Sequence, residues 1–598
     1  MTEKSLRDLI TDVKQGALSR RDFIRTMVAA GIGAPVASQL LVWHGVAMAQ
    51  PATDYKPTQA GGGGPLKILL WQAPTLLNPH FASGTKDQEA SRVFYEPLAG
   101  WDREGNLVPI LAAELPTREN GGLSADGTTV TWKLKRDVKW HDGQPFTADD
   151  VMFTAAYAAD PETAAYTTGS YAGIKFEKVD DHTVKVIFPQ PQPFWAGPFV
   201  GIVGPIIPKH HFGDYKGANS RDAPANLKPV GTGPYKFVDF KPGDIVLGER
   251  NPDYHVKNQP HFDTIEIKGG GDAVSAARAV LQTGEYDYAW NMQVEDEVLK
   301  RMEDGGRGRV LTVASGNIEF IILNTTDPWT EVDGERSSVK TKHPTLSDPA
   351  VRQAINLLID RDSIQKFIYG RGGTATASFV NQPERFKSKK LTYEFNIEKA
   401  NAILDQAGWT RGSDGIREKD GKKLKYVFQT SINAPRQKTQ AIIKQACQKA
   451  GIELELKSVT ASVFFSSDVA NPDTYTKLYA DMEMYTTTQD SPDPERFLNQ
   501  LVSWEIASKE NKWLGRNISR YSSKEADEAY RAAQRELDPA KRAELLIKVN
   551  EIFCEANVIL PLLSRNRVAS ASNTLTPNFS GWDNDLWALA SWYRNGPA

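Results

Sequence analysis

The sequence predicts an α/β fold in two lobes, on three observations. Short runs that read as strands lie between Gly, Pro and Asp turns in the first half: Lys67–Trp71, Val130–Lys135, Thr183–Phe188, Gly233–Phe240 and Thr264–Lys268. From Asn324 onward helical patterns strengthen, and Tyr426–Thr430 and Ile452–Ser458 flank a helix over Gln437–Ala450, the order of a strand-helix-strand unit. The chain has 598 residues, 40% of them hydrophobic. Single cores stop growing near ~250–300 residues, so more than one is expected.

The segment from Asp126 to Phe153 is the most legible. Val130, Trp132 and Leu134 alternate with Thr131, Lys133 and Lys135, as in a strand with one buried face. Trp140-His141-Asp142-Gly143 supplies a turn, because Asp bonds its own backbone and Gly tolerates positive φ. Thr147 then caps a helix over Ala148–Ala159, with Asp150 three residues on favouring its positive end. A second helix is expected over Asp272–Thr283. Thr326–Pro344 crowds Asp, Glu, Lys and Pro together like a surface insertion.

Val351, Ala354, Ile355, Leu358 and Ile359 form one apolar helical stripe, with Ser347 as cap and Pro349 in the first turn. Ile397–Ala407 repeats the pattern and ends at Gly408, a residue suited to a left-handed cap. Cys447 lies on the Gln437–Ala450 helix and Cys554 on another over Ala540–Asn557. Cysteines within helices read as buried thiols, although export would permit a disulfide, so pairing stays open.

The front of the chain reads as an address. Ser19-Arg20-Arg21-Asp22-Phe23 has the twin-arginine export pattern, an apolar run follows from Met27 to Val46, and Ala47-Met48-Ala49 offers a cleavage site before Gln50. Gly31, Gly33, Pro35, Ser38 and Gln39 weaken the run as a membrane span. A lipid anchor needs a Cys directly after the run, and the two cysteines lie elsewhere. Residues 1–49 are therefore expected to be a removed signal and 50–65 a flexible lead-in, with the mature product in the periplasm. Gly61–Gly64 lacks the Gly-Lys-Ser/Thr of a phosphate loop. With 71 basic and 74 acidic residues, a net charge of -3 gives no general attraction for nucleic acid.

Five motifs in order carry a family resemblance. Beside the Asp126–Phe153 segment, Tyr95-Glu96-Pro97-Leu98 lies near the start and Ile559-Leu560-Pro561-Leu562 near the end. Between them, Pro229-Val230-Gly231-Thr232-Gly233-Pro234-Tyr235-Lys236-Phe237 resembles a "GTGPY" turn and strand. Ser347-Asp348-Pro349-Ala350-Val351-Arg352-Gln353-Ala354-Ile355, continuing to Ile359-Asp360-Arg361, resembles a "D-x-x-V-R-Q-A-I … I-D-R" helix. From about residue 66 to the C-terminus the chain resembles the family 5 solute-binding proteins of peptide ABC importers.

That resemblance implies a periplasmic binding protein-like fold whose two lobes close on a hinge. Lobe I would take residues 66–318, with an extra subdomain at about 102–200, and lobe II residues 319–557. The chain would return to lobe I over 558–598, with crossings near Thr312–Asn317 and Val558–Pro561. It also implies a monomeric receptor, not an enzyme, without cofactor, that hands a small peptide or peptide-like solute to permease and ATPase subunits of the inner membrane. The same fold with altered cleft residues would take an oligosaccharide, an opine, or a nickel or haem complex.

The rival class is a secreted hydrolase, and its patterns are missing: no Gly-x-Ser-x-Gly elbow and no His-Glu-x-x-His pair. The adjacent His210-His211 reads as a loop whose side chains point apart, hence as surface histidines rather than a metal site. For the ligand, the resemblance puts Asp490 opposite a peptide α-ammonium, since a buried cation is tolerable only when paired. Thr487 stands where peptide-binding relatives commonly carry Trp, which exchanges an aromatic wall for a hydroxyl. Trp71, Tyr95, Trp290, Asn291 and Tyr485 complete the expected cleft, and Arg371 or Arg385 is offered for a ligand carboxylate.

Overall fold

The computed structural model describes residues 57–595 except 83, 466–470, 490 and 514, together with Leu9, Asp12, Phe23, Thr26 and Met27. The arginine pair, the cleavage point before Gln50 and residues 50–56 lie outside the described residues. Met1–Lys56 and Pro57–Ala598 are separate compact units; the second is described below. Among the described residues no helix is long and apolar enough to cross a membrane.

An eleven-stranded mixed sheet organises the molecule. Its strands are β1 (Pro65–Leu70), β2 (Tyr235–Lys241), β3 (Ile245–Arg250), β4 (Thr264–Gly269), β5 (Tyr288–Ala289), β6 (Gly308–Leu323), β7 (Gly373–Ala375), β8 (Lys425–Ser431), β9 (Glu453–Val459), β10 (Met482–Gln489) and β11 (Ile559–Ser572). The order is β9-β8-β10-β6-β11-β5-β1-β4-β3-β2, with β7 also on β11. β1 is parallel to β4 and β5, and β8 is parallel to β9 and β10. Parallel pairing thus marks both halves of the sheet, the first half ending in the antiparallel run β4-β3-β2, and the halves meet at the antiparallel pair β6 and β11.

That pair is continuous but broken in register. Val313 lies opposite Arg567 and Asn317 opposite Arg565, so three residues of β6 bulge against one of β11. The core changes at the same point. Val313 packs with Leu66, Ile68, Tyr235, Tyr288 and Trp592, whereas Ile318 and Phe320 pack with Phe379, Phe497 and Phe553. Ile321 and Leu323 face a further core with Val351, Phe428 and Met482. Ala569, Ala571 and Leu575 of the returning chain rejoin the first core. A fourth core, with Trp132, Trp140, Val151 and Phe199, belongs to residues 98–206 and is closed by Trp582.

Local rules explain most elements. The Thr147/Asp150 capping box opens a helix over Ala148–Ala159, and Val130, Trp132 and Leu134 are all buried. Gly231 and Gly233 of the "GTGPY" turn press on Phe94: a Cβ at Gly231 would lie 1.8 Å from the Phe94 carbonyl oxygen, and Gly233 N donates to that oxygen at 2.8 Å. Gly408 adopts φ +83° after the helix Ile397–Gln406, as a left-handed cap requires.

Three expectations are corrected. The cap of the Pro349–Leu357 helix is Asp348, not Ser347; a residue before proline is held extended, and the Asp348 carboxylate accepts from Ala350 N. The helix expected over 272–283 is α only over Ala273–Arg278 and then widens to a π turn over Ala279–Thr283. His210-His211 lies on a four-residue helix, Lys209–Phe212, rather than a loop. Cys447 and Cys554 are free and buried, and burial pushes both thiols up to about 12.

Candidate functional site

Strand β10 and the loop after it form the frame of the site. β10 pairs with β6 along its length, but its ladder to β8 covers only Met482, Glu483 and Met484. The other edge of residues 485–489 has no strand partner among the described residues. Thr487 is half-buried and Thr488 exposed at this edge. Asp490, the expected ammonium partner, lies outside the described residues.

The segment that follows is tightly anchored. Asp493 and Glu495 both pair with Arg542 of the helix Pro539–Glu555: Arg542 Nη2 donates to Asp493 Oδ1 at 3.0 Å and to Glu495 Oε2 at 2.6 Å. All three side chains are nearly buried, so this cation is balanced by two anions rather than left to the low-dielectric interior. Gln489 Nε2 bonds Ser491 O at 2.9 Å, and Ser491 Oγ bonds Asp493 O at 2.9 Å.

Beside this segment lies a cavity of about 240 Å³ with two unlike walls. Residues 101–202 supply an apolar wall that includes Trp101, Phe188, Phe194, Pro198 and Ile202, with the Trp101 and Phe194 rings stacked at 5.9 Å. Ser491, Glu495, Arg496, Asn499, Tyr530 and Gln534 supply a polar wall. Arg496 Nη1 reaches across to Ser170 Oγ at 3.1 Å. An apolar surface facing convergent donors and acceptors suits a small amphipathic ligand.

A smaller pocket of about 20 Å³ sits beside the paired crossing strands, lined by Gln293, Tyr369, Asn433, Arg565 and others. Trp71, Trp290 and Asn291 are brought together next to it. Trp71 Nε1 donates to Asn291 O at 3.0 Å, the two indoles lie 6.3 Å apart, and Asn291 turns the chain with φ +56°. Charges and amides bridge from this side to residues 371–438: Gln293 to Asn433 at 2.8 Å, Glu295 to Lys438 at 2.7 Å, and Asp296 to Arg371 at 2.6 Å, with Glu303 also on Arg371. Arg371 is therefore occupied by protein carboxylates. Arg385 is exposed and lies over its neighbour Phe386 at 4.8 Å.

Behind this pocket Glu319 of β6 is fully buried between Arg436 at 2.7 Å and Arg565 at 3.5 Å, and Thr486 Oγ1 donates to it. Burial alone would raise its pKa. The Arg436 guanidinium first, then Arg565 and the hydrogen bonds, outweigh that effect and hold the carboxyl below its ordinary range.

Three of the expected contacts are core side chains: Trp290, 6% exposed, packs in the first core. Tyr95 is 0% exposed and belongs to the first core. Tyr485 is 6% exposed, because the strand alternation turns it toward Phe320 at 4.7 Å and Tyr475 at 5.0 Å. Residues not singled out from sequence include Trp101, Phe194, Arg496 and Arg565. Glu495 and Arg496 stood in the segment that drew attention to Asp490, which was a usable signal; nothing local distinguished Trp101 from a core indole. Among the described residues one cluster has metal-ligand spacing, Asp142 with His210 and His211, and it lines neither cavity.

Residues 106–509 match the family model of the bacterial extracellular solute-binding proteins, family 5 Middle. The oligopeptide-binding protein AppA of Bacillus subtilis (strain 168) is 30% identical over 414 residues, covering 68% of this chain and 70% of that relative. The glutathione-binding protein GsiB of Escherichia coli (strain K12) is 24% identical over 507 residues, 84% of this chain and 89% of that relative. Among solved structures, Bacillus subtilis AppA in complex with a nonapeptide superposes with a TM-score of 0.72 at 24% identity, over 90% of this chain and all of that one. NikZ from Campylobacter jejuni in complex with Ni(L-His) gives 0.72 at 23%, over 88% and 99%. These superpositions show the mixed α/β fold.

Proposed function

The chain belongs to family 5 of the bacterial extracellular solute-binding proteins, and from that premise we propose that it binds a small peptide with a free amino terminus. The carrying observation is the open edge of β10 at residues 485–489, after which Ser491 lines the two-walled cavity. An extended peptide adds to such an edge through main-chain hydrogen bonds, whatever its side chains. The Asp490 carboxylate would pair with the α-ammonium, and the Trp101 and Phe194 wall would take an adjoining apolar side chain. Micromolar capture needs about -8 kcal/mol, within reach of a few backbone bonds, one charge pair and aromatic packing once closure excludes water.

In this reading the protein is a receptor and the solute leaves unaltered. The register break between Val313 and Asn317, facing Arg565 to Arg567, is the hinge between a lobe of residues 66–318 with 558–598 and a lobe of 319–557. The exported monomer, freed of residues 1–49 after twin-arginine transport, works in the periplasm and passes its load to the permease and ATPase of an ABC importer.

Titration calorimetry with matched peptides, free and N-acetylated, tests the proposal. Free peptides should bind at least tenfold tighter, and Asp490→Asn should abolish the difference. Equal affinity for both forms in the unaltered protein would remove the ammonium role. Solution scattering with the tightest peptide should show a smaller radius of gyration.

A further inference from the structure

We propose that Asp142, His210 and His211 form a binding site for one divalent transition-metal ion of the zinc class, on the surface of the region that holds the fourth core. Asp142 is 68 residues from the adjacent His210 and His211, yet the three side chains converge on a point. His210 Nε2 lies 2.8 Å and His211 Nε2 3.0 Å from the same oxygen, Asp142 Oδ2, and all three ligand atoms fall within 4.8 Å of one another. Ligand atoms each ~2.0–2.2 Å from a zinc-class ion, at tetrahedral or octahedral angles, lie about 2.9–3.4 Å apart. The present spacing requires little movement to admit an ion.

The donor set selects the metal class. Two imidazoles and one carboxylate suit zinc, copper, nickel or cobalt, whereas calcium and magnesium favour all-oxygen shells. Without metal, each imidazole donates an Nε2–H to the carboxylate. With metal, the proton resides on Nδ1 and the Nε2 lone pair turns to the ion. Three protein ligands leave at least one position for water. The side chains are 33%, 35% and 36% exposed, so the ion has a path in and the open position faces solvent.

The surrounding residues hold this geometry in place. Asp142 sits in the turn closed by Trp140 N to Gln144 O at 2.8 Å and Gly143 N to Trp140 O at 2.8 Å. Its Oδ1 accepts from Gln144 N at 3.1 Å, which leaves Oδ2 for the histidines. Asp150 ties the turn to the histidine helix: Oδ2 accepts from Trp140 Nε1 at 3.2 Å, and Oδ1 accepts from Lys209 N at 3.0 Å. Trp140 packs edge-on to His210 at 6.3 Å, and Phe212 fixes the far end of the helix in the first core. Such support around the ligands commonly separates a site from a chance meeting of side chains.

This site is independent of the peptide cavity, and metal alone tests it. Tag-free protein, stripped with chelator and dialysed, is titrated with Zn²⁺ in a calorimeter and with Co²⁺ by visible absorption. One ion per chain is expected, with His211→Ala and Asp142→Asn each weakening zinc at least tenfold while the unfolding midpoint of the metal-free variants stays near that of the unaltered protein. Absence of stoichiometric binding overturns the proposal. So does one-ion binding that both variants retain unchanged, which would locate the metal elsewhere.

Discussion

The two cavities differ in what spans them. At the smaller pocket, beside the crossing strands, carboxylates of residues 295–303 meet Arg371 and Lys438, and Glu319 sits behind them between two guanidiniums. At the larger cavity, an aromatic wall faces a polar one and the described crossing is a neutral hydroxyl accepting from Arg496. Ion pairs join the two sides of the smaller pocket, whereas the buried Asp493, Glu495 and Arg542 cluster lies on one side of the larger cavity. An ion pair holds the two elements it joins at a fixed distance. A hydroxyl contact gives way at small cost, as a binding surface must.

The largest break in that contrast is Glu319→Gln. Removing the carboxylate leaves Arg436 buried without its partner, so stability should fall by about 3–5 kcal/mol in urea unfolding. The pH sign follows from the lowered carboxyl. Its contribution is present above the ordinary carboxylate range and is lost as pH falls through the folded value, so the unaltered protein should lose more stability on acidification than the variant.

Arg371→Met comes next, at about 1–2 kcal/mol, because Asp296 is buried but Arg371 is one-third exposed and solvent screens the pair. Raising salt should shrink this difference. Ser170→Ala should cost about 1 kcal/mol or less. Its clearer signature is a larger radius of gyration of the ligand-free protein, while peptide binding persists. Lys438→Met is expected to leave the unfolding midpoint unchanged, because both partners of that ion pair reach solvent. A drop as large as that of Arg371→Met would erase the distinction between surface and buried charge drawn here.

Legibility in the sequence followed the range of the interactions. Asp126–Phe153 could be read because strand alternation, turn chemistry and capping act within a few residues and agree with one another. The Asp348 cap was one residue from the position expected, since the constraint before Pro349 outranks the better-known serine cap. Tyr95 and Tyr485 were hard to read because an aromatic beside a cleft strand has two faces to choose from, and partners on other elements decide: the first core for Tyr95, Phe320 and Tyr475 for Tyr485. The convergence of His210 and His211 was hidden for the same reason: Asp142, which both reach, lies 68 residues from His210. The open edge of β10 was likewise invisible, because an edge is defined by the strand that stops short of it.

The burial of both native thiols has a practical consequence. A cysteine introduced on the exposed flank of each half would be the sole pair open to maleimide chemistry. Fluorescent or spin labels could then report the separation of the halves in real time, without first deleting any residue of the natural chain.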